Sequence, residues 1–348
     1  MTIVIAHVNV TRGYRGGERQ TELLVRSLLD SGIRQVLVAR RDEPLAGRLS
    51  GSGIATRNVS GNPLSVAMAT GGVDLIHVHE GRSIYGAYLR SLMTATPYIA
   101  TRRVDNPIGT HWLAHRAYRG AARVAAVAPQ IADIVRGYDP SIRVEVIHSS
   151  SSGLAVDDAR ADAIRRAHRG SFFVGHVGAL DNQQKGQEFI IQVARELRDS
   201  HPDIHFLLVG GGADEAMLRE SAAGLDNLNF TGFVENVGDY LAALDLFILP
   251  SRREGIGSIL LDAMEQGLPI VASRVGGVPE IVHEGENGIL IDPERPDQLK
   301  AAILRLREAP DLRDELGERG RRIARNFTAD VMCRKYLGLY EAVLGGNG

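Results

Sequence analysis

Short runs of apolar and β-branched residues alternate along the chain with longer segments whose apolar positions recur at helical spacing. Residues 3–10 predict a strand. Residues 18–29 predict a helix with Leu23, Leu24 and Leu28 on one face. Further strands are predicted at 35–39, 73–78, 98–101, 123–128 and 143–147. The rhythm breaks at Ser149-Ser150-Ser151-Ser152-Gly153, a polar, turn-forming run, and then resumes. Strands follow at 172–177, 205–209, 228–230, 246–249, 270–272 and 288–291, with helices between them. Such alternation predicts a parallel sheet covered on both faces. The break therefore separates two doubly wound α/β domains with a cleft between them, one over 1–150 and a second over 171–328. Residues 329–348 are predicted as a C-terminal helix, with Met332, Tyr336, Leu339 and Tyr340 at compatible spacing, that packs back toward the first domain.

The length of 348 residues suits two domains, and 44% hydrophobic with 24% charged residues is ordinary for a globular protein. A formal net charge of −2 gives no global field to draw the chain onto nucleic acid, so an anionic partner must meet a local patch. The single cysteine, Cys333, excludes an internal disulfide and a cysteine-based zinc site, and its use points to a reducing compartment. The opening Met1-Thr2-Ile3-Val4-Ile5-Ala6 has no basic region before it, and no apolar run approaches the ~20 residues that span a bilayer. The expected location is the cytoplasm, at most in peripheral contact with the inner face of the cytoplasmic membrane.

Three loops following predicted strands carry candidate chemistry. In the segment from Leu249 to Met264, Gly255 and Gly257 allow a ligand close to the backbone, and a helix opens near Gly257 or Ser258. That junction suits a diphosphate. Glu254 precedes the helix and Asp262 lies two turns along it, so the two carboxylates are placed to hold hydroxyl groups. The alternative is an N-terminal acid and a solvated helix acid. In the loop Gly178 to Gly186, Lys185 stands at the start of a helix, either as the cation for a leaving diphosphate or as a surface lysine. The spacing is not that of a Walker A loop. In the third loop, Gly16-Gly17 precedes the first helix, without the spacing of a dinucleotide fingerprint.

Together these segments resemble the GT-B glycosyltransferases of family 4, most strongly over residues 172–293. The matching stretches are Thr231-Gly232-Phe233-Val234, Tyr240 to Leu246, the Glu254 segment, Gly267 to Ser273, and Gly276-Gly277-Val278-Pro279-Glu280. The resemblance implies the GT-B fold, with two Rossmann-like domains. It also implies retaining transfer of a hexose-type sugar from a UDP- or GDP-linked donor to a glycan or lipid-linked acceptor, with bacterial envelope polysaccharide or lipopolysaccharide synthesis as the setting. Glu254 and Lys185 take the catalytic positions, gripping the donor sugar and the diphosphate. Gly16, Gly17, Gly178, Gly210, Gly255, Ile256, Gly257 and Ser258 fall on the donor loops. Phe233 and Val234 fall where the base packs, and Asp262 where the ribose is held. No metal and no resident cofactor are implied. The chain departs from the family pattern at Asp262, which replaces a glutamate, and at Ala179, which stands where a second phosphate-binding arginine is usual. Arg252 and Arg253 are the expected substitutes for that missing cation. Arg103, within Thr101-Arg102-Arg103-Val104-Asp105, stands where a histidine is usual, and makes Arg102, Arg103 and Asp105 the acceptor-side candidates.

The most basic stretch runs from Arg102 and Arg103 to Arg116, Arg119 and Arg123, with His111, Trp112 and His115. It fits either an acidic acceptor or anionic lipid headgroups, or else an ordinary solvated helix face with Trp112 in packing. His77 and His79 resemble a metal pair but lack a third ligand in sequence, which favours a structural or acceptor-lining role. Two rival functions are a non-catalytic nucleotide-sugar-binding scaffold, suggested by Ala179, and a GT-B sugar-nucleotide epimerase, which the Glu254/Asp262 spacing disfavours.

Overall fold

The computed structural model describes residues 2–167 and 172–345. Residue 171, where the second domain is predicted to open, and residues 346–348 of the predicted tail lie outside the described residues. The chain divides into two compact units, Met1–Ser152 with Phe327–Gly348, and Gly153–Asn326.

The first unit is built on seven parallel strands, β1 (Val4–Asn9), β2 (Arg34–Arg40), β3 (Ala55–Val59), β4 (Leu75–Val78), β5 (Tyr98–Arg102), β6 (Arg123–Ala126) and β7 (Val144–Val146), in the order β3-β2-β1-β4-β5-β6-β7. Strand order reverses between β1 and β4, which makes their carboxyl ends the switch point where ligands gather in open α/β sheets. The register there sets His7 beside His77. β3 has no counterpart in the sequence pattern. Its Ala55, Thr56 and Asn58 are exposed on the sheet's rim and only Val59 is buried, so an apolar run is not needed to hold it. The C-terminal helix, Ala329–Leu344, belongs to this unit. Thr328 caps it, and Met332, Tyr336, Leu339 and Tyr340 pack on Ile5, Leu24, Leu28, Leu75 and Ile99. Each large apolar side chain buried there contributes ~1.5–3 kcal/mol, so the helix forms part of the unit's core.

The second unit carries six parallel strands, β8 (Phe172–Val177), β9 (Ile204–Val209), β10 (Leu228–Gly232), β11 (Leu246–Leu249), β12 (Ile270–Ser273) and β13 (Gly288–Ile291), in the order β10-β9-β8-β11-β12-β13. The winding repeats that of the first unit, and the switch point falls between β8 and β11. The helix Gln187–Leu197 buries Ile190, Ile191, Val193, Ala194 and Leu197 against β8 and β9, its apolar positions recurring at helical spacing. Both units are thus Rossmann-like, as the alternation of strands and helices predicts.

Candidate active site

The loops that leave β8 and β11 meet at the second switch point. After β8 the backbone N–H of Gly178 bonds the Val209 carbonyl at 3.0 Å, and the chain then turns into a single helical turn, Asn182–Lys185, capped by Asp181. Lys185 ends this turn rather than opening the long helix, which starts after Gly186 at Gln187. The backbone N–H groups of Arg252 and Arg253 donate to the Gln184 carbonyl at 2.8 and 3.2 Å, which ties the β11 loop to the turn carrying Lys185. Lys185 Nζ consequently forms an ion pair with Glu254 Oε1, and the Ser251 hydroxyl donates to the same oxygen at 3.0 Å. Glu254 is buried and Lys185 is partly exposed.

Behind Lys185 lies His176, a residue that the sequence reading missed. Burial pushes its imidazole down to about 4; its Nδ1 donates to the Ile248 carbonyl at 3.1 Å, and the Lys185 charge adds to the depression. Its place on a buried strand looks like core, and only the fold sets it beside the lysine.

The remaining donor-loop candidates line the same edge. Gly255 accepts from Gly277 N–H at 2.9 Å, and a Cβ on Gly276 would run into the Glu254 carbonyl, so this crossing of loops requires glycine. Gly210, with φ of 135°, passes against the Gly178 carbonyl where a Cβ has no room. Ile256 is buried, and Gly257 and Ser258 precede the helix Ile259–Glu265, which begins one or two residues later than predicted. Asp262 is buried within that helix. Phe233, just past β10, is 72% exposed, an aromatic face with nothing packed over it, and Val234 beside it is half-buried. Arg252 is committed to its own neighbours. It pairs with Glu188 and with Glu294 at 2.6 Å, bonds the Asn182 carbonyl at 2.6 Å, and lies 4.4 Å over the Phe189 ring. Its charge therefore braces the Lys185 turn from behind, which leaves the expected phosphate contact without a free donor edge on this side chain. Arg253 follows it in the same loop.

The first unit has its own cluster at the carboxyl ends of β1, β4 and β5. Gly16 and Gly17 open the first helix, Gly16–Ser27, and Glu18 closes a capping box by accepting from Arg15 N–H at 2.9 Å and from the Thr11 hydroxyl at 2.5 Å. Arg102 is buried, stacks near Tyr118 and bonds its hydroxyl at 3.1 Å and the Asn106 carbonyl, so it fastens the loop after β5. Among the described residues Arg103 bonds only Ser149 Oγ, at 3.4 Å, and Asp105 is half-exposed two residues on.

His77 and His79 gain a third partner, His7, hidden by its distance in sequence and delivered by the β1–β4 register. His7 Nδ1 and His79 Nε2 lie 3.0 Å apart, while His77 bonds the hydroxyls of Tyr340 and Thr101, each at 2.7 Å. Desolvation by burial drives all three imidazoles toward the neutral form, His7 down to about 3, and the Arg103 charge presses further on His77 and His79. Among the described residues no carboxylate joins the group. With an arginine adjacent, the surroundings favour a neutral hydrogen-bonded trio over a divalent cation.

On the basic stretch, Arg123 pairs with Glu145 at 3.4 Å and His115 with Asp139 at 2.9 Å, while Arg116, Arg119 and His111 are exposed. Trp112 is 71% exposed, so it takes no part in packing.

Two parallel doubly wound sheets in one chain, with the loops of the second gathered round a lysine–glutamate pair, define the GT-B class of α/β protein. Residues 171–309 match the family model described as glycosyl transferases group 1. The chain is 27% identical over 304 residues to the alpha-D-kanosaminyltransferase of Streptomyces kanamyceticus, covering 77% of each chain. It is 27% identical over 219 residues, 61% of each chain, to the lipopolysaccharide core biosynthesis glycosyltransferase LpsE of Rhizobium meliloti. Among solved structures, Anabaena Alr3699/HepE in complex with UDP-glucose superposes with a TM-score of 0.86 at 20% identity, over 98% of this chain and 100% of that one. The chain has the GT-B fold, and its second unit carries a match to the group 1 glycosyl transferase model.

Proposed function

We propose that the protein transfers a hexose-type sugar, with retention at the anomeric carbon, from a UDP- or GDP-linked donor to a glycan or lipid-linked acceptor of bacterial envelope polysaccharide or lipopolysaccharide synthesis. The ion pair between Lys185 and Glu254 carries this reading. Each group is the other's placeholder. A donor diphosphate takes over Lys185, and the released Glu254 carboxylate, still held by Ser251, accepts from hydroxyls of the sugar. The exposed face of Phe233 is available to the base, and Asp262 is assigned to the ribose. A relative named as a lipopolysaccharide core biosynthesis glycosyltransferase supports the setting, and a structural neighbour holding UDP-glucose supports the donor.

In the reaction the bond from the anomeric carbon to the diphosphate oxygen breaks. The acceptor oxygen bonds to the same face of that carbon, and the acceptor proton passes to an oxygen of the departing phosphate. Lys185 and the backbone N–H groups around Gly257 stabilise the negative charge that grows on the diphosphate, a fixed electrostatic arrangement of the kind that dominates many rate enhancements. This course requires no metal and no resident cofactor.

The acceptor side belongs to the first unit. Exposed Trp112 with Arg116 and Arg119, and exposed Leu64, Met68, Leu92 and Met93 on the helices Pro63–Ala69 and Ile84–Thr94, support peripheral contact with an anionic membrane. No helix among the described residues is long and apolar enough to cross one. Flotation with anionic and neutral vesicles tests the contact; equal, negligible recovery with both defeats it. The function itself is tested by measuring UDP and GDP release from a panel of donor sugars, with and without acceptor extract. Slow donor hydrolysis, accelerated by extract, is expected. Tight binding without any turnover favours the scaffold reading instead.

A further inference from the structure

Arg103 presents a guanidinium that the protein itself does not satisfy. Nη1 makes a long contact to Ser149 Oγ at 3.4 Å, while Nε and Nη2 are both covered and have no hydrogen-bond partner. These two nitrogens form one edge of the guanidinium, the edge whose parallel N–H groups match the two oxygens of a carboxylate or phosphate. The second unit shows how that edge is normally used. Arg307 sets Nε and Nη2 on the two oxygens of Asp203 at 2.7 and 2.9 Å, and Arg295 does the same to Asp297 at 2.8 and 2.6 Å. Among the described residues, Arg103 alone has both atoms of the edge buried and unpaired.

The acid that acts on it does not fill the gap. Glu18 is close enough to act on Arg103 electrostatically, but its two oxygens accept from the Arg15 N–H and the Thr11 hydroxyl at the start of the first helix. Gly17, on the first turn of that helix, lies beside the arginine stem, where a Cβ would stand 3.7 Å from Cδ. Arg103 thus follows β5, beside the N-terminus of a twelve-residue helix, half-buried, with Nε and Nη2 covered and no carboxylate hydrogen-bonded to them. Burial holds the guanidinium below its usual range, as expected where the charged form lacks compensation.

We infer that the first unit carries an oxyanion site at Arg103, which grips a carboxylate or phosphoryl group of the substrate through Nε and Nη2. The weak tether to Ser149 leaves the side chain free to swing its edge onto the incoming group. The oxyanion has two possible sources, an acidic group on the acceptor or the phosphates of the donor. Assigning it to a substrate rests on the transferase reading; the anion site does not.

The test uses the full-length protein labelled with 15N-arginine, with inorganic phosphate and glucuronate as probes. The Arg103 Nε–Hε signal is identified by its loss in R103K, with R103Q as a second variant should R103K fold poorly. The site predicts a saturable shift of that signal with either probe, and phosphate affinity at least about tenfold weaker in the variants. UDP affinity measured alongside separates the sources: unchanged in the variants, the oxyanion is the acceptor's; weakened in parallel with phosphate, it is the donor's. An Arg103 signal that neither probe moves at tens of millimolar, or equal phosphate affinity in wild type and both variants, overturns the site. Absence of sugar transfer with a titrating Arg103 signal counts against the function and leaves the site standing.

Discussion

At the carboxyl edge of the second sheet a cation rests on a carboxylate; at the equivalent edge of the first sheet a cation has only a long contact to a serine hydroxyl. Lys185 and Glu254 neutralise one another, and Arg252, bound to Glu188 and Glu294, buttresses the turn that carries the lysine. Arg103 keeps its bidentate edge open, and the acid nearby is spent on capping a helix. The same winding has been filled with a self-complementary charge network in one unit and an incomplete one in the other. A paired site must exchange partners to bind and so holds its geometry while empty. An unpaired site gains the full interaction on binding but is costlier to keep empty.

The sharpest way to break this contrast is to remove the paired cation. Lys185→Ala is expected to lower kcat by ~10²-fold or more, the scale on which losing one donor to a developing oxyanion is felt. Steady-state UDP or GDP release measures it, and an unchanged kcat removes Lys185 from the chemistry.

Acid provides the next largest effect and bears on the first unit more than the second. His7, His77 and His79 are buried neutral in the first unit, and His176 is so placed in the second. Each has a folded pKa below its unfolded value near 6.5, so the unfolded chain binds the extra protons. The stability they represent is complete above pH 6.5 and is lost as pH falls toward about 3 for His7 and about 4 for His176. His7 alone accounts for about 1.4 kcal/mol per pH unit within that window. Hydrogen exchange between pH 7 and 5 is expected to show strands β1, β4 and β5 losing protection before β8 and β11; the reverse order contradicts the assignment of neutral imidazoles.

Smaller effects sharpen the second unit's side of the comparison. Phe233→Ala is expected to weaken UDP or GDP binding by ~1 kcal/mol, the worth of one aromatic contact, with little change in melting temperature because the ring is exposed. Equal nucleotide affinity moves the base elsewhere. Arg252→Ala is expected to cost about 1 kcal/mol or less of stability, since its carboxylate partners are open to solvent, and to leave inorganic phosphate affinity unchanged. A loss of phosphate affinity in that variant restores Arg252 to the leaving-group site.

Much of this arrangement is legible in the sequence because local patterns report local structure. The β-branched runs mark twelve of the strands described, and the C-terminal helix is visible from its first residue, Ala329. β3 is not legible: on the rim of the sheet, Ala55-Thr56-Arg57-Asn58-Val59 has one face to bury little and no reason to alternate. The loops around Gly178 and Glu254 stand out because glycines follow strands there. What they hold together does not, because an ion pair 69 residues apart, like a histidine pairing 70 apart in register, is set by which strands adjoin. Likewise nothing in Thr101-Arg102-Arg103 tells which arginine is tied down. Arg102 is claimed by Tyr118 and Asn106, and Arg103 is left with its edge unused, a distinction that alternation of side chains at a strand end creates only once the sheet exists.

The central claim is that the donor diphosphate displaces Glu254 from Lys185, and a crystal structure of the full chain with an intact nucleotide sugar tests it most directly. The account predicts the diphosphate against Lys185 Nζ and the backbone around Gly257, with the Glu254 carboxylate turned onto sugar hydroxyls. A nucleotide bound elsewhere, with the pair between Lys185 and Glu254 intact, contradicts it.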